Sequence, residues 1–154
     1  MATPTETLHD STKPRPADAY LRNRVLTASP EELRLMLLDG AVKFAGQGRE
    51  GLATKNYEAS FSGFSRCREI ILELVSGIRE DVDPELAKNV RGVYMFIYQQ
   101  LVEGNHERDL AKIDRAIDLI KYERETWALL MRRLADERGR AGPAPAPAAV
   151  SLEG

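Results

Sequence analysis

Residues 29–44 read SPEELRLMLLDGAVKF, and the reading of this stretch decides the fold class. Ser29 offers a side-chain oxygen to the open N–H groups of a helix start, and Pro30 lacks only a donor that the first helical position does not use. Glu32 sits three residues on, where it completes a capping box. Leu33, Met36, Leu37, Ala41 and Phe44 then recur in steps of three and four, the period of an amphipathic helix.

The same period continues outward from this helix. A second helix is predicted from about Asn56, with Tyr57, Phe61, Phe64, Cys67, Ile71, Leu74 and Ile78 inward. Gly46, Gly48 and Gly51 before it read as a flexible connection. Asp83 and Pro84 are the cap and first residue of a third helix carrying Leu86, Val90, Val93, Tyr94, Ile97 and Leu101, and Gly104–Asn105 is predicted to end it. A fourth runs from about Asp109 to about Arg138 with Leu110, Ile113, Ile117, Ile120, Trp127, Met131 and Leu134 on its stripe. Short connections near 49–55, 79–83 and 104–109 return each helix beside the last, which predicts an all-α, antiparallel up-down four-helix bundle with a short N-terminal segment or helix. Residues 1–17, with Pro4, Pro14 and Pro16, and the Pro/Ala-rich residues 141–154 have no apolar period and are expected to be disordered termini around a domain at 18–140.

Composition narrows the function. Twenty-two Lys and Arg against 24 Asp and Glu are interleaved, so no basic footprint for nucleic acid or anionic lipid is present. No apolar run reaches the roughly 18 residues of a membrane span, and residues 1–18 lack the build of a secretory signal, so a cytoplasmic location is expected. A di-iron bundle needs two Glu-x-x-His pairs; Glu103 and His106 give one, and the other histidine, His9, falls in the N-terminal arm. A phosphotransfer bundle needs a histidine in mid-helix, which His106 at a predicted terminus is not. Cys67 has no partnering histidine and reads as a core residue, and the glycines lack the ending of a phosphate loop. The expectation is a non-enzyme without metal or cofactor. What is unusual is a surplus of apolar residues off the main stripes: Leu35, Leu38 and Val42 on the first helix and Met95, Phe96 and Tyr98 on the third. They either complete the core or form a groove for another amphipathic helix, and the residues alone weigh both equally.

An ordered set of short matches adds a resemblance. Ala19-Tyr20, Asn23, Val25 and Thr27 to Leu33, then Met36-Leu37-Leu38-Asp39-Gly40-Ala41 and Phe44, are similar to the opening of the FliS flagellar chaperone family. Ile70-Ile71, Glu73-Leu74, Leu86-Ala87, Asn89, Tyr94, Leu101-Val102-Glu103, Asn105, Asp109, Arg124 and Trp127 follow in the family's order, so the likeness covers about residues 19–134. The chain departs from the pattern at Leu38, where a Tyr is usual, at Gly104 in place of Ala, and at Met95-Phe96 in place of Asp-Tyr. The resemblance implies an export chaperone that binds the C-terminal segment of flagellin, prevents premature polymerisation and serves flagellar type III secretion, with the export gate as a further partner. Taken with the apolar surplus it makes Leu38, Phe96 and Tyr98 the expected client-binding residues; it implies Tyr20 and Val25 as a lid, and Ser29, Pro30, Asp39, Gly40 and Asn105 are expected to be structural motif residues. The alternative is a helical adaptor for a different amphipathic helix, with a phosphotransfer or metal-binding bundle behind it.

Overall fold

The computed structural model describes residues 15–142, which hold five α-helices and no strand. These are α1 (Pro16–Thr27), α2 (Pro30–Ala53), α3 (Tyr57–Ser76), α4 (Pro84–Glu107) and α5 (Leu110–Ala141). The rest of the expected terminal arms, residues 1–14 and 143–154, lies outside the described residues. Within them Pro16 and Ala17 already open α1, and α5 continues to Ala141, three residues past its expected end. Two compact units divide after Leu33.

In the first unit, α1 starts on Pro16 without a side-chain cap, and its apolar residues are spread around the helix rather than gathered in a stripe. None of its residues is buried. At the start of α2 the capping box is formed in both directions: the Ser29 hydroxyl accepts from the Glu32 N–H (3.1 Å) and the Glu32 carboxylate accepts from the Ser29 N–H (3.3 Å).

In the second unit the rest of α2 and α3, α4 and α5 form an up-down bundle, and the pairings give its direction. On α2 and α3, Gly40 lies beside Ile70 and Gly48 beside Gly63 and Phe64, so the two run antiparallel. Ser60 reaches Asn105 and Arg68 covers Tyr98, which makes α3 and α4 antiparallel. Gly104 meets Ile113, while Asp39 pairs with Arg124 and Arg49 with Asp114, so α5 returns along both α4 and α2. Between them lies a core of Leu38, Ala41, Ala45 and Leu52, then Phe64, Cys67, Ile71 and Leu74, then Tyr94, Ile97 and Leu101, then Ile113, Ala116, Ile117 and Ile120.

Two turns differ from expectation for one reason. Gly48 and Gly51 do not loosen the chain after α2; they are buried inside it, and α2 continues to Ala53. A Cβ on Gly63 would stand 2.5 Å from the Gly48 nitrogen, and one on Gly51 2.6 Å from the Ser60 nitrogen, so these glycines let two backbones touch. Gly104 likewise sits inside α4 against Ile113, and the helix runs on to Glu107 instead of ending at Gly104–Asn105. The reversals fall to Lys55 and Arg108, both left-handed (φ 59° and 55°). Each is followed by a residue whose N–H closes the previous helix and whose side chain caps the next. Asn56 N–H donates to the Gly51 carbonyl (2.8 Å) and Asp109 N–H to the Gly104 carbonyl (2.8 Å). The Asn56 side chain accepts from Ala59 N–H, and that of Asp109 from Ala111 and Lys112.

Several inward assignments also shift. Leu33, Tyr57, Phe61, Leu86 and Leu134 are exposed, and Leu38 lies at the centre of the α2 face in place of Leu33.

Candidate functional site

The buried polar chemistry is structural. Where α2, α4 and α5 meet, the Arg34 guanidinium lies between the rings of Tyr94 (5.6 Å) and Trp127 (5.1 Å) and donates to the Tyr94 hydroxyl (3.0 Å). That hydroxyl donates in turn to Glu123, whose carboxyl is pushed above the usual range by burial, with the Arg34 charge and this hydrogen bond opposing. Burial likewise pushes the Cys67 thiol up to about 12, leaving it protonated and inert as a nucleophile. Glu103 is held by Gln99 and Lys112, and no cluster of His, Cys, Asp and Glu that could hold a metal ion occurs among the described residues. His106 is exposed in the last turn of α4, and His9 lies outside the described residues.

The α2–α5 side carries the Asp39–Arg124 and Arg49–Asp114 ion pairs and a shallow cleft of about 440 Å³ over Val42 and Ile117. Its rim of Arg49, Asp114, Asp118 and Lys121 balances in charge, which suits water better than an apolar ligand.

The structure separates the residues expected to bind a client. Leu38 is 0% exposed and belongs to the core. Phe96 and Tyr98 point to opposite sides of α4, since residues two apart on a helix differ by about 200°. Tyr98 is half-buried under Arg68 of α3. Phe96, 40% exposed, is seven residues from Glu103 and shares its side, which faces Lys112 of α5. Tyr20 and Val25 are exposed on α1. Asp39 is tied to Arg124, and the Asn105 side chain accepts from the buried Ser60 hydroxyl (3.2 Å) while its carbonyl accepts from the N–H of Arg108 (3.4 Å) at the end of α4. A Cβ on Gly40 would meet only the terminal methyl of Ile70, at 3.3 Å, so this glycine is less confined than Gly48 or Gly63.

Four solvent-facing apolar side chains border the seam of α3 and α4. Phe61 (63% exposed) and Leu72 (46%) stand on α3, with Met95 (40%) and Val102 (39%) on α4. The Ser60–Asn105 and Arg68–Tyr98 pairings bring Phe61 level with Val102 and Leu72 level with Met95. Phe61 passes for a core residue in sequence because it stands three positions before Phe64. Measured from the centre of the buried face at Cys67, it lies about 120° round the helix, an offset legible once the core centre is known.

Residues 13–134 match the family model described as "Flagellar protein FliS". The Flagellar secretion chaperone FliS of Bacillus subtilis (strain 168) is 26% identical over 127 residues, which covers 82% of this chain and 94% of the relative. That of Vibrio cholerae is 26% identical over 105 residues, 68% of this chain and 77% of the relative. That of Salmonella typhimurium is 25% identical over 125 residues, 80% and 93%.

Proposed function

The chain belongs to the FliS family of flagellar secretion chaperones, and from that premise we propose that it binds the C-terminal segment of flagellin in the bacterial cytosol. Bound there, the segment is unable to polymerise before export, and the complex presents it to the flagellar type III export gate. The chaperone is not an enzyme, and its work is the covering and release of apolar surface. The observation that supports this client is the group of exposed apolar side chains on α3 and α4, in a bundle whose core is already closed. A segment that folds as it docks gains burial over such side chains and loses part of that gain to its own ordering, which leaves a complex able to come apart. No helix among the described residues is long and apolar enough to cross a membrane, in keeping with action on a dissolved client. Tyr20 and Val25 are proposed as a displaceable cover that competes with the client.

Titration of the purified chain with the C-terminal segment of its host's flagellin tests the proposal, alongside flagellin polymerisation followed by light scattering. Saturable binding with one segment per chain and delayed polymerisation are expected. A chain that neither binds the segment nor delays polymerisation would leave the adaptor reading in its place.

A further inference from the structure

Of Arg34, Tyr94, Glu123 and Trp127, which join α2, α4 and α5, only Glu123 is a carboxyl, and it is half-buried. Its surroundings are sparse in charge. On α5 the residues one turn away are Leu119, Ile120, Thr126 and Trp127, and its neighbour Arg124 is taken by Asp39. On α4 the residues one turn from Tyr94 are Val90, Arg91, Ile97 and Tyr98, and Arg91 is taken by Glu80. On α2, Arg34 has Glu31 one turn before it and the uncharged Leu37 and Leu38 one turn after. The charge that acts on Glu123 is that of Arg34.

Within the cluster, Arg34 is held by two ring faces and one neutral hydroxyl. A carboxylate is a stronger partner for a guanidinium than any of these, because the hydrogen bond is then charge-assisted at both ends and can be forked. The Tyr94 hydroxyl stands between the two candidates, accepting from Arg34 (3.0 Å) and donating to Glu123. While Glu123 keeps its proton, this bridge is a link between a cation and a neutral acid. Once the proton leaves, two opposite charges stand one hydroxyl apart in a site that burial has made poor in water, where their attraction is least screened.

We propose that this cluster is a proton-operated switch in which Arg34 changes partner. With Glu123 protonated, Arg34 stays between the Tyr94 and Trp127 rings and joins α2 to both α4 and α5. When Glu123 gives its proton to solvent, its carboxylate draws the guanidinium off the Tyr94 hydroxyl and the Trp127 face, and at this point α2 is held by α5 alone. Burial, the larger influence on Glu123, sets the exchange above the ordinary glutamate range. The switch acts on the bundle itself and does not require the flagellin reading.

Trp127 is the chain's only tryptophan, so its fluorescence reports on the exchange. Emission and acrylamide quenching of the full chain are followed from about pH 4 to about pH 9, on either side of the ordinary glutamate and neutral ranges. Emission should shift in one transition, with a midpoint above the ordinary glutamate value of about 4.3, and quenching should rise on its alkaline side as the guanidinium leaves the ring. Glu123→Gln, which keeps the neutral form, should lose the transition and stay at the low quenching of the acid side. Arg34→Met should also lose the Trp127 transition, while carbon NMR of the Glu123 carboxyl shows it still titrating, with its midpoint moved upward because the opposing cation is gone. Emission that is flat in the parent, or a transition that persists in folded Glu123→Gln or folded Arg34→Met, overturns the switch. Should either variant fold poorly, the parent decides by itself: a Glu123 carboxyl that titrates at or below the ordinary value, or apart from the Trp127 transition, overturns it as well.

Discussion

Gly46 and Gly63 are both helical glycines, and only their surroundings tell them apart. A Cβ at Gly46 meets nothing within 4 Å, whereas at Gly63 it would stand 2.5 Å from the Gly48 nitrogen and 2.7 Å from the Phe44 carbonyl oxygen. Gly46→Ala should therefore raise stability by about 0.5–1 kcal/mol, the ordinary gain of Ala over Gly in a helix. Gly63→Ala should lower it by about 1–3 kcal/mol or more, because backbone atoms have nowhere to retreat. Urea melts of both variants check this, and equal effects would mean that α2 and α3 are not in backbone contact. Glu123 supplies a prediction in pH. Its folded pKa is raised, so its contribution is fully present below the unfolded value and is lost as pH rises through the folded one. Glu123→Gln should thus gain on the parent as the pH rises above the ordinary glutamate range. Asp114 has the opposite sign, lowered chiefly by the hydrogen bond from Arg49, and its contribution is lost as pH falls. Denaturation of parent and Glu123→Gln with rising pH measures the difference; one that moves toward the parent would show the Arg34 charge outweighing burial.

Helix starts were legible in the sequence because a cap is a local device: Ser29, Asn56, Asp83 and Asp109 each act within three residues of themselves, as their hydrogen bonds show. Helix ends were not legible where glycine had two uses. Gly48, Gly51 and Gly104 have the composition of a break and the environment of a crossing, and a single sequence does not record what lies across from them. The true reversals at Lys55 and Arg108 carry no glycine to announce them. That leaves a testable cost at the first of them. A lysine held at φ 59° is less comfortable than glycine by about 1 kcal/mol, so Lys55→Gly should stabilise the chain by up to that amount. Arg108 is the poorer choice for this experiment, since its guanidinium stacks 4.0 Å above the Tyr57 ring and its removal costs that contact too. Thermal melts of Lys55→Gly give the answer, and a lowered midpoint would show the Lys55 side chain to be needed for more than its backbone.

Across the whole molecule, the four long helices, their antiparallel order and, apart from Tyr57, Phe61, Leu86 and Leu134, the inward faces of α3, α4 and α5 followed from period and loop length, while the inward face of α2 did not. Leu35, Met36, Leu37 and Leu38 are apolar all round α2, so its rotation is set by the small residues Ala41, Ala45 and Gly48, where α3 and the core come close. This is why Leu38 reads as groove in sequence and is core in structure. The opposed directions of Phe96 and Tyr98, by contrast, follow from their spacing alone. The last prediction concerns α1, which has no buried residue and no apolar stripe, so nothing in it is needed to close the core. A chain beginning at Ala28 keeps the Ser29 capping box and every core residue. It should lose helical signal in proportion to the twelve residues of α1, while its melting midpoint moves by less than about 2 °C, the shift that follows from well under 1 kcal/mol at this size. If Tyr20 and Val25 act as a cover, the same truncation should tighten flagellin binding, because a competitor for the surface is gone. The full-length variant with both Tyr20→Ser and Val25→Ser should then tighten it in the same direction, which separates loss of a cover from loss of a helix. Weaker binding in both, at an unchanged melting midpoint, would make α1 part of the client's own contact surface and not its rival.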